Sequence, residues 1–146
     1  MTIRRVLPDD HSEWLRMRRS LWPASPDEHA AEIAEFFAKP NPDLATFVID
    51  RGKALLGGFL EARVRDYAEG CRGARVGYIE GWYVDSDLRR QGLGRQLVKA
   101  AESWARKLGL SEMASDCDIA NKESLRAHLA LGYQEVERIV CFRKAL

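Results

Sequence analysis

The 146-residue sequence predicts an α/β fold, a mixed central sheet with helices on both faces. Apolar residues make up 46% of the chain, which suits a packed core rather than a disordered segment. Segments rich in β-branched and aromatic residues alternate with segments whose apolar residues recur at helical spacing. These segments follow one another in the order β-α-α-β-β-β-α-β-α-β, which is typical of an α/β arrangement. We expect residues 1–146 to form a single domain.

The first half of the chain predicts a strand, two helices and two more strands. Asp9 or Asp10 suits the N-cap of the first helix. Trp22-Pro23 ends that helix, because a residue that precedes proline disfavours helical dihedral angles. The Gly57-Gly58 pair indicates a bulge or a close backbone approach inside a strand. The predicted elements are a strand at 2–6, helices at 10–22 and 26–38, and strands at 46–49 and 54–65.

The second half predicts a buried strand followed by an amphipathic helix. Residues 75–84 are apolar on both faces, which is typical of a central strand. From Gly92 onward, Leu97, Ala101 and Leu108 recur on one helical face, and Gly109 suits a C-terminal cap. The remaining predicted elements are a strand at 112–115, a helix at 121–131 and a final strand at 136–142.

Charge and cysteine content limit the function classes. The net charge is +1, from 23 basic and 22 acidic residues, so the composition gives no argument for nucleic-acid or membrane binding. The N-terminus lacks the apolar core of a signal peptide, and no apolar run approaches the roughly 20 residues of a membrane span. Cys71, Cys117 and Cys141 lack the spacing of metal ligands. We therefore expect a cytoplasmic protein with reduced thiols and no metal.

The most informative stretch is VDSDLRRQGLG, residues 84–94. It leads from the end of a strand into the amphipathic helix, and Gly92 and Gly94 lie where the loop becomes helix. The free N–H groups of a first helical turn, together with the helix dipole, form an anion site. Arg89 and Arg90 add positive charge beside it. The stretch therefore predicts phosphate binding at the start of this helix.

The sequence RRQGLG resembles the acetyl-CoA pyrophosphate loop, Q/R-x-x-G-x-G/A, of the GNAT superfamily. The element order is similar over nearly the whole chain, and the resemblance implies a splay between the fourth and fifth strands. It also implies acetyl-CoA as co-substrate, with a backbone amide of Trp82 or Val84 polarising the thioester carbonyl. The implied cofactor-binding residues are Trp82, Tyr83, Val84, Arg89, Arg90, Gln91, Gly92, Leu93, Gly94, Arg95 and Asn121.

Two residues of the predicted helix at 121–131, Asn121 and His128, each fit more than one role. Asn121 suits a helix N-cap, and the resemblance implies a contact with the pantetheine arm; both roles are compatible. The family often places a tyrosine in this helix as the acid for the leaving thiolate, whereas His128 stands at the matching position here. Protonation by His128, protonation by water and unassisted departure remain alternatives, as does a packing role for His128.

A second resemblance is narrower. The segments LWPASPDEH, RDYAEGC, YIEGWYV, MASDCD and EVERIVCFRK are similar to those of the aminoglycoside 6'-N-acetyltransferases, which confer antibiotic resistance. The resemblance implies a homodimer in which the partner subunit contributes Glu137. The implied substrate-binding residues are Trp22, Ser25, Tyr67, Glu80, Asp116 and Glu137.

The residue chemistry fits a polycationic acceptor, which needs carboxylates and aromatic rings. Glu80 is two residues before Trp82, so we expect both side chains on one side of the strand. A carboxylate in this apolar strand is costly to bury without a partner, which favours a functional role.

Asp116, or Glu80 through a water molecule, is the candidate catalytic base for direct transfer. A Cys117 nucleophile lacks a His-Asp constellation to support it. A polyamine acetyltransferase and a non-catalytic CoA-binding sensor are the alternative functions.

Overall fold

A computed structural model describes residues 1–24 and 26–146. Five strands form one sheet in the order β1-β2-β3-β4-β5. The elements in chain order are β1 Thr2–Arg5, α1 His11–Leu21, α2 His29–Ala38, β2 Leu44–Gly52, β3 Leu55–Arg65, β4 Val76–Val84, α3 Leu93–Lys107, β5 Met113–Ser115 and α4 Lys122–Ala130. Within the described residues, no helix has the length and hydropathy needed to cross a bilayer.

The sheet is mixed, as predicted. Strands β1 to β4 pair in antiparallel fashion, and β5 pairs with β4 in parallel after the α3 crossover. The parallel pairing joins only Gly77, Tyr78 and Ile79 to residues 113–115, whereas β4 continues to Val84. The two strands therefore part after Ile79, which confirms the splay between the fourth and fifth strands.

Helices cover both faces of the sheet, because β2 and β3 carry apolar side chains on both sides. Phe47, Ile49 and Leu60 pack with Leu97 and Ala101 of α3. On the opposite face, Val48, Leu56 and Phe59 pack with side chains of α1 and α2, namely Trp14, Met17 and Ile33. Complete burial of such a side chain contributes roughly 1.5–3 kcal/mol relative to its exposed state. The continuous apolar runs of the central strands thus produce the layered fold.

Two local predictions are confirmed, and the bounds of two elements change: α2 begins at His29 rather than at residue 26, and β2 is extended. Helix α1 ends at Leu21, directly before Trp22-Pro23. A Cβ atom added at Gly58 would lie 2.6 Å from the carbonyl oxygen of Tyr83, so the backbone approach there is close. Strand β2 is longer than predicted, because residues around Asp50 pair with both β1 and β3 although their side chains are polar.

The predicted final strand at 136–142 is wrong for the single chain. Among the described residues, this segment pairs with no strand. Val136, Ile139, Val140 and Phe142 are 60%, 59%, 77% and 91% exposed. The apolar pattern indicated which side chains prefer burial, but a strand also needs a neighbour that supplies hydrogen bonds. Residues 135–146 are called the C-terminal segment below.

Candidate active site

The loop before α3 has a backbone that glycine makes possible. Gly92 is the N-cap of α3, with φ of 79°, in the left-handed region that a residue without Cβ adopts at little cost. Arg89 Nε donates to the carbonyl oxygen of Val84 at 3.0 Å, and Gln91 Nε2 donates to that of Asp87 at 3.0 Å. Within residues 1–24 and 26–146, no side chain caps the first turn of α3. Its N–H groups are therefore available to an anion, as the predicted site requires.

Two arginines that the sequence reasoning missed anchor the start of this loop. Arg51 donates to both oxygens of Asp87, at 2.8 and 2.6 Å. Arg16, on α1, donates to both oxygens of Asp85 at 3.0 Å. Paired arginine–carboxylate bonds fix orientation as well as distance. The end of β4 is thereby held against α1 and the β2–β3 hairpin, which fixes where α3 begins.

Trp82 lies beneath the first turn of α3. A Cβ atom added at Gly94 would lie 3.3 Å from two atoms of the Trp82 ring, so glycine allows this approach. Trp82 Nε1 is buried and has no hydrogen-bond partner among the described residues. A buried unsatisfied donor costs about 1–3 kcal/mol, so its presence needs an explanation, and a bound acceptor is one. The close approach at Gly94 and the Nε1 donor of Trp82 both suit a co-substrate that carries phosphate and amide groups.

His128 lies beside the splay between β4 and β5. Its ring meets that of Trp82 edge-on, with centroids 5.3 Å apart. Nδ1 is 2.7 Å from the carbonyl oxygen of Ser124, and Nε2 is 2.7 Å from the Ser115 hydroxyl. Because a carbonyl oxygen only accepts, we assign the hydrogen to Nδ1, and Nε2 then accepts from Ser115. Asn121 accepts a hydrogen bond from the Ser124 amide at 3.1 Å, so its N-cap role is confirmed.

The expectation that Glu80 and Trp82 share a side of the strand is wrong. Glu61 pairs with Gly81 and Ala62 pairs with Ile79, so Glu80 is an extra residue in a β-bulge. The bulge shifts the alternation by one residue. Trp82 consequently packs on the α3 face, whereas Glu80 lies on the α1 and α2 face. The strand thus presents Trp82 on one side and a carboxylate on the other.

Glu80 is connected to Asp116 through two side chains. Arg65 donates from Nε and Nη2 to the two oxygens of Glu80, both at 2.7 Å. The Arg65 guanidinium lies 3.5 Å from the centroid of the Tyr78 ring, and the Tyr78 hydroxyl donates to Asp116. Burial, and then the Asp116 carboxylate, raise the pKa of Tyr78, so the phenol remains a donor. The structure therefore links both candidate catalytic carboxylates through hydrogen bonds and one stacking contact between Arg65 and Tyr78.

A cleft of about 440 Å³ adjoins Glu80 on the α1 and α2 face. Its lining is rich in carboxylates and consists of Arg18, Trp22, Pro26, Glu28, His29, Glu32, Glu61, Arg63 and Glu80. Trp22 covers Gly81, where an added Cβ atom would lie 2.6 Å from the ring, and stacks on His29 with centroids 6.1 Å apart. The cleft combines negative charge with an aromatic wall, which suits a cationic ring compound.

The remaining predicted substrate residues are not in this cleft. Tyr67 is 67% exposed, in the loop between β3 and β4. Glu137 is exposed in the C-terminal segment, which contacts the body where Val136 packs on Gly70. Ser25 lies outside the described residues. The single chain thus places Trp22 and Glu80 in the cleft. Asp116 lies outside its lining and is linked to Glu80 through Arg65 and Tyr78, whereas Tyr67 and Glu137 lie at the surface.

Glu61 lines the cleft and was missed by the sequence reasoning. Trp14 Nε1 donates to its Oε1 atom at 2.9 Å, and Arg18 Nε is 3.5 Å from the same oxygen. Burial raises the pKa of Glu61 from 4.5 to about 7, more than Arg18 and Trp14 lower it. No local sequence pattern marks this residue, because its burial depends on α1 lying across β3.

The substitution Glu61→Gln should stabilise the protein at pH 8 and change little at pH 5. The folded-state pKa of Glu61 is above the unfolded value, so its contribution to stability is full below about pH 4.5 and is lost as pH rises through 7. The shift corresponds to at most about 3 kcal/mol. Urea unfolding of both proteins across this range checks the prediction; an equal difference at both pH values would contradict it.

Comparison with known proteins agrees with this geometry. The acetyltransferase (GNAT) family profile matches residues 11–133. Aminoglycoside N(6')-acetyltransferase type 1 of Klebsiella aerogenes is 48% identical, covering 99% of this chain and 96% of that protein. The Serratia marcescens protein of the same name is 42% identical over 94% of each chain. The structure of AAC(6')-Iy with the bisubstrate analog CoA-S-monomethyl-acetylneamine has a TM-score of 0.89 and 34% identity, over 99% of this chain and 98% of that one. The chain therefore belongs to the acetyltransferase (GNAT) family.

Proposed function

We propose that this protein transfers the acetyl group of acetyl-CoA to the 6'-amine of an aminoglycoside antibiotic and thereby confers resistance. The main observation behind this proposal is that the two faces of β4 meet different surroundings. One side meets the glycine loop and Trp82, and the other meets the acidic cleft with Glu80 and Trp22. Relatives named for this activity, and one structure with a CoA-linked aminoglycoside analog, support the same assignment.

Acetyl-CoA supplies a thioester acetyl group, and the chain offers it three contacts. Backbone amides of residues 91–95 bind the pyrophosphate at the start of α3. Beyond the splay, the edge of β4 that faces β5 has no strand partner at residues 80–84 in the described part of the chain. This edge binds the pantetheine arm. An amide of Trp82 or Val84 donates to the thioester carbonyl, and such a donor stabilises the transition state by about 3 kcal/mol.

The acceptor amine is bound and deprotonated on the opposite side of β4. Glu80 and Asp116 accept charge-assisted hydrogen bonds, each contributing roughly 1.5–3 kcal/mol, and Trp22 stacks on a sugar ring. Asp116 is the better base, because both oxygens of Glu80 already accept hydrogen bonds from Arg65. Asp116 is exposed, and Tyr78 donates to only its Oδ2 atom. The neutral amine then attacks the acetyl group directly.

Water, rather than His128, protonates the departing thiolate in this proposal, and it takes up in exchange the second proton, which the nitrogen loses as the amide forms. The hydrogen on Nδ1 is held by the Ser124 carbonyl, and Nε2 accepts from Ser115. In this tautomer the ring has no further hydrogen to donate. Its contribution is to support Trp82 at the splay.

We further propose that the protein is a homodimer. Its solvent-accessible surface is 9760 Å², whereas a folded monomer of this mass exposes about 7,600 Å². The excess of roughly 2,000 Å² per chain corresponds to about 4,000 Å² for two chains, which is in the range that obligate homodimers bury. The apolar C-terminal segment is the surface to be covered. In the proposed dimer, Glu137 of this segment contributes to the cleft of the other subunit.

Residues 1–146 act in this proposal as one catalytic domain in the cytoplasm. The three cysteines are free thiols in the structure, which suits a reducing compartment. Acetyl-CoA is an intracellular metabolite, so the reaction requires a protein that works inside the cell.

A polyamine is the second candidate acceptor, because the acidic cleft also suits a linear cation. Thiol release from acetyl-CoA should be measured with kanamycin, with its 6'-hydroxyl analogue and with spermidine. We expect turnover with kanamycin and none with the analogue. Turnover with spermidine alone would replace the antibiotic by a polyamine. Binding of acetyl-CoA without turnover of any amine would favour a sensor instead.

A further inference from the structure

Arg65 is the cation in closest contact with the acceptor carboxylates. It forms two hydrogen bonds of 2.7 Å with Glu80 and stacks on Tyr78, which donates to Asp116. Hydrogen bonding to Glu80 raises the pKa of Arg65, so the guanidinium remains charged. A permanent positive charge is therefore built into the group that links Glu80 to Asp116.

This charge affects the step in which the bound acceptor amine loses its proton before acetyl transfer. The amine attacks only as a neutral group, whereas a carboxylate within about 4–6 Å raises the pKa of an ammonium by roughly 1–3 units. Each unit lowers the neutral fraction about tenfold. A site made only of carboxylates would bind the substrate in its unreactive form. A neighbouring cation has the opposite effect, because like charges destabilise each other.

We propose, on the basis of the function proposed above, that Arg65 is a positioning residue. Through its ion pair with Glu80 it limits how far the site stabilises the bound ammonium, and so favours transfer of the proton to Asp116. Glu80 remains available for orientation, since each carboxylate oxygen can accept a second hydrogen bond.

The other charges near this group do not have the same effect. They come from α1, from α2 and the residue before it, from β3 and from the loop after β3, and are Arg18, Glu28, His29, Glu32, Glu61, Arg63 and Glu69. Arg18 is already paired with Glu32 and lies 3.5 Å from Glu61. The Arg63 side chain is 54% exposed, and its Nε atom lies 3.9 Å from Glu80. Among Arg18, Arg63 and Arg65, only Arg65 makes two short hydrogen bonds to Glu80.

The test is the pH dependence of kcat with kanamycin for the unmodified protein, Arg65→Met and Arg65→Lys. The kcat profile reports groups in the enzyme–substrate complex, which is where the bound amine titrates. We expect Arg65→Met to displace the rising limb to higher pH by roughly one unit, with kcat approaching the unmodified value at high pH. Arg65→Lys keeps the charge, so its profile should stay in place.

Arg75→Gln is the matched control, because it removes the same charge from an exposed pair with Asp43. Its profile should not move. Arg65→Gln replaces Arg65→Met if the latter fails to fold, as judged by thermal unfolding.

An equal loss of kcat at every pH would overturn the inference, as would a shift in Arg65→Lys as large as that in Arg65→Met. A lower KM for kanamycin with an unmoved profile would instead show that Arg65 only competes with the substrate. If the unmodified protein fails to turn over kanamycin, the proposed function and this inference are both overturned.

Discussion

Replacing Asp116 by asparagine should lower kcat for aminoglycoside acetylation by roughly 100-fold or more, the range expected for loss of a general base. Asparagine has nearly the same shape, and its carbonyl oxygen can still accept the hydrogen bond from Tyr78. The group formed by Arg65, Tyr78 and Glu80 should therefore persist. The KM for acetyl-CoA should change little, because the pyrophosphate loop lies at the start of α3. Steady-state kinetics with each substrate varied in turn would separate these effects.

Cys117→Ala is the matched control for this experiment. Cys117 is the neighbour of Asp116 and is half-buried, so removal of its thiol tests the covalent alternative at the same place. We expect this variant to keep most of its activity. A folded, acetyl-CoA-binding Cys117→Ala protein without turnover would contradict direct transfer. An active Asp116→Asn protein would remove Asp116 from the role of base.

Placing a charge in the C-terminal segment should convert the protein to a monomer and reduce its activity. Val140 and Phe142 are 77% and 91% exposed in the single chain, so Val140→Asp or Phe142→Asp costs little unless these side chains are covered by a partner. A buried unpaired carboxylate, by contrast, disfavours association strongly. Analytical ultracentrifugation should give twice the chain mass for the unmodified protein and the chain mass for either variant.

Leu55→Asp is the control for the dimer experiment. Leu55 is also apolar and 52% exposed, but it lies at the β2–β3 hairpin. We expect this variant to remain dimeric. An unmodified protein that sediments as a monomer, or dimeric Val140→Asp and Phe142→Asp proteins, would contradict the proposed dimer.

Mixing two impaired chains would show which subunit supplies Glu137. In a mixed dimer of Glu137→Ala and Asp116→Asn chains, the site of the first chain has its own Asp116 and the partner's intact glutamate. If Glu137 acts across the dimer, this mixture should recover about half of the activity per mixed dimer, because one of the two sites is complete. Recovery would not occur if each chain supplied Glu137 to its own cleft.

Local patterns predicted the part of the site that local structure forms. The glycines at 92 and 94 and the helical spacing of Leu97 and Ala101 are close in sequence, and they produce the loop and α3 as expected. The β4 strand was predictable for the same reason, because its apolar run reflects burial on both faces. The splay followed from the family resemblance rather than from any local pattern.

The parts that depend on pairing between distant segments were not predictable. The bulge at Glu80 arises from the register between β3 and β4, and it reverses the side chain relative to Trp82. The contacts of Arg65 with Glu80 and of Tyr78 with Asp116 join residues 15 and 38 positions apart. The final strand needs a neighbour that this chain does not provide among its described residues. In each case, the pairing partner lies too far away in the sequence for a local pattern to indicate it.

The position of the transferred acetyl group tests the central claim most directly. Acetyl-CoA carrying a ¹³C-labelled acetyl group should be incubated with kanamycin and the protein, and the product examined by NMR. The two faces of β4 and the acidic cleft predict that the label is attached to the 6' nitrogen of the antibiotic. A label on another nitrogen, or a label retained on Cys117, would contradict this account.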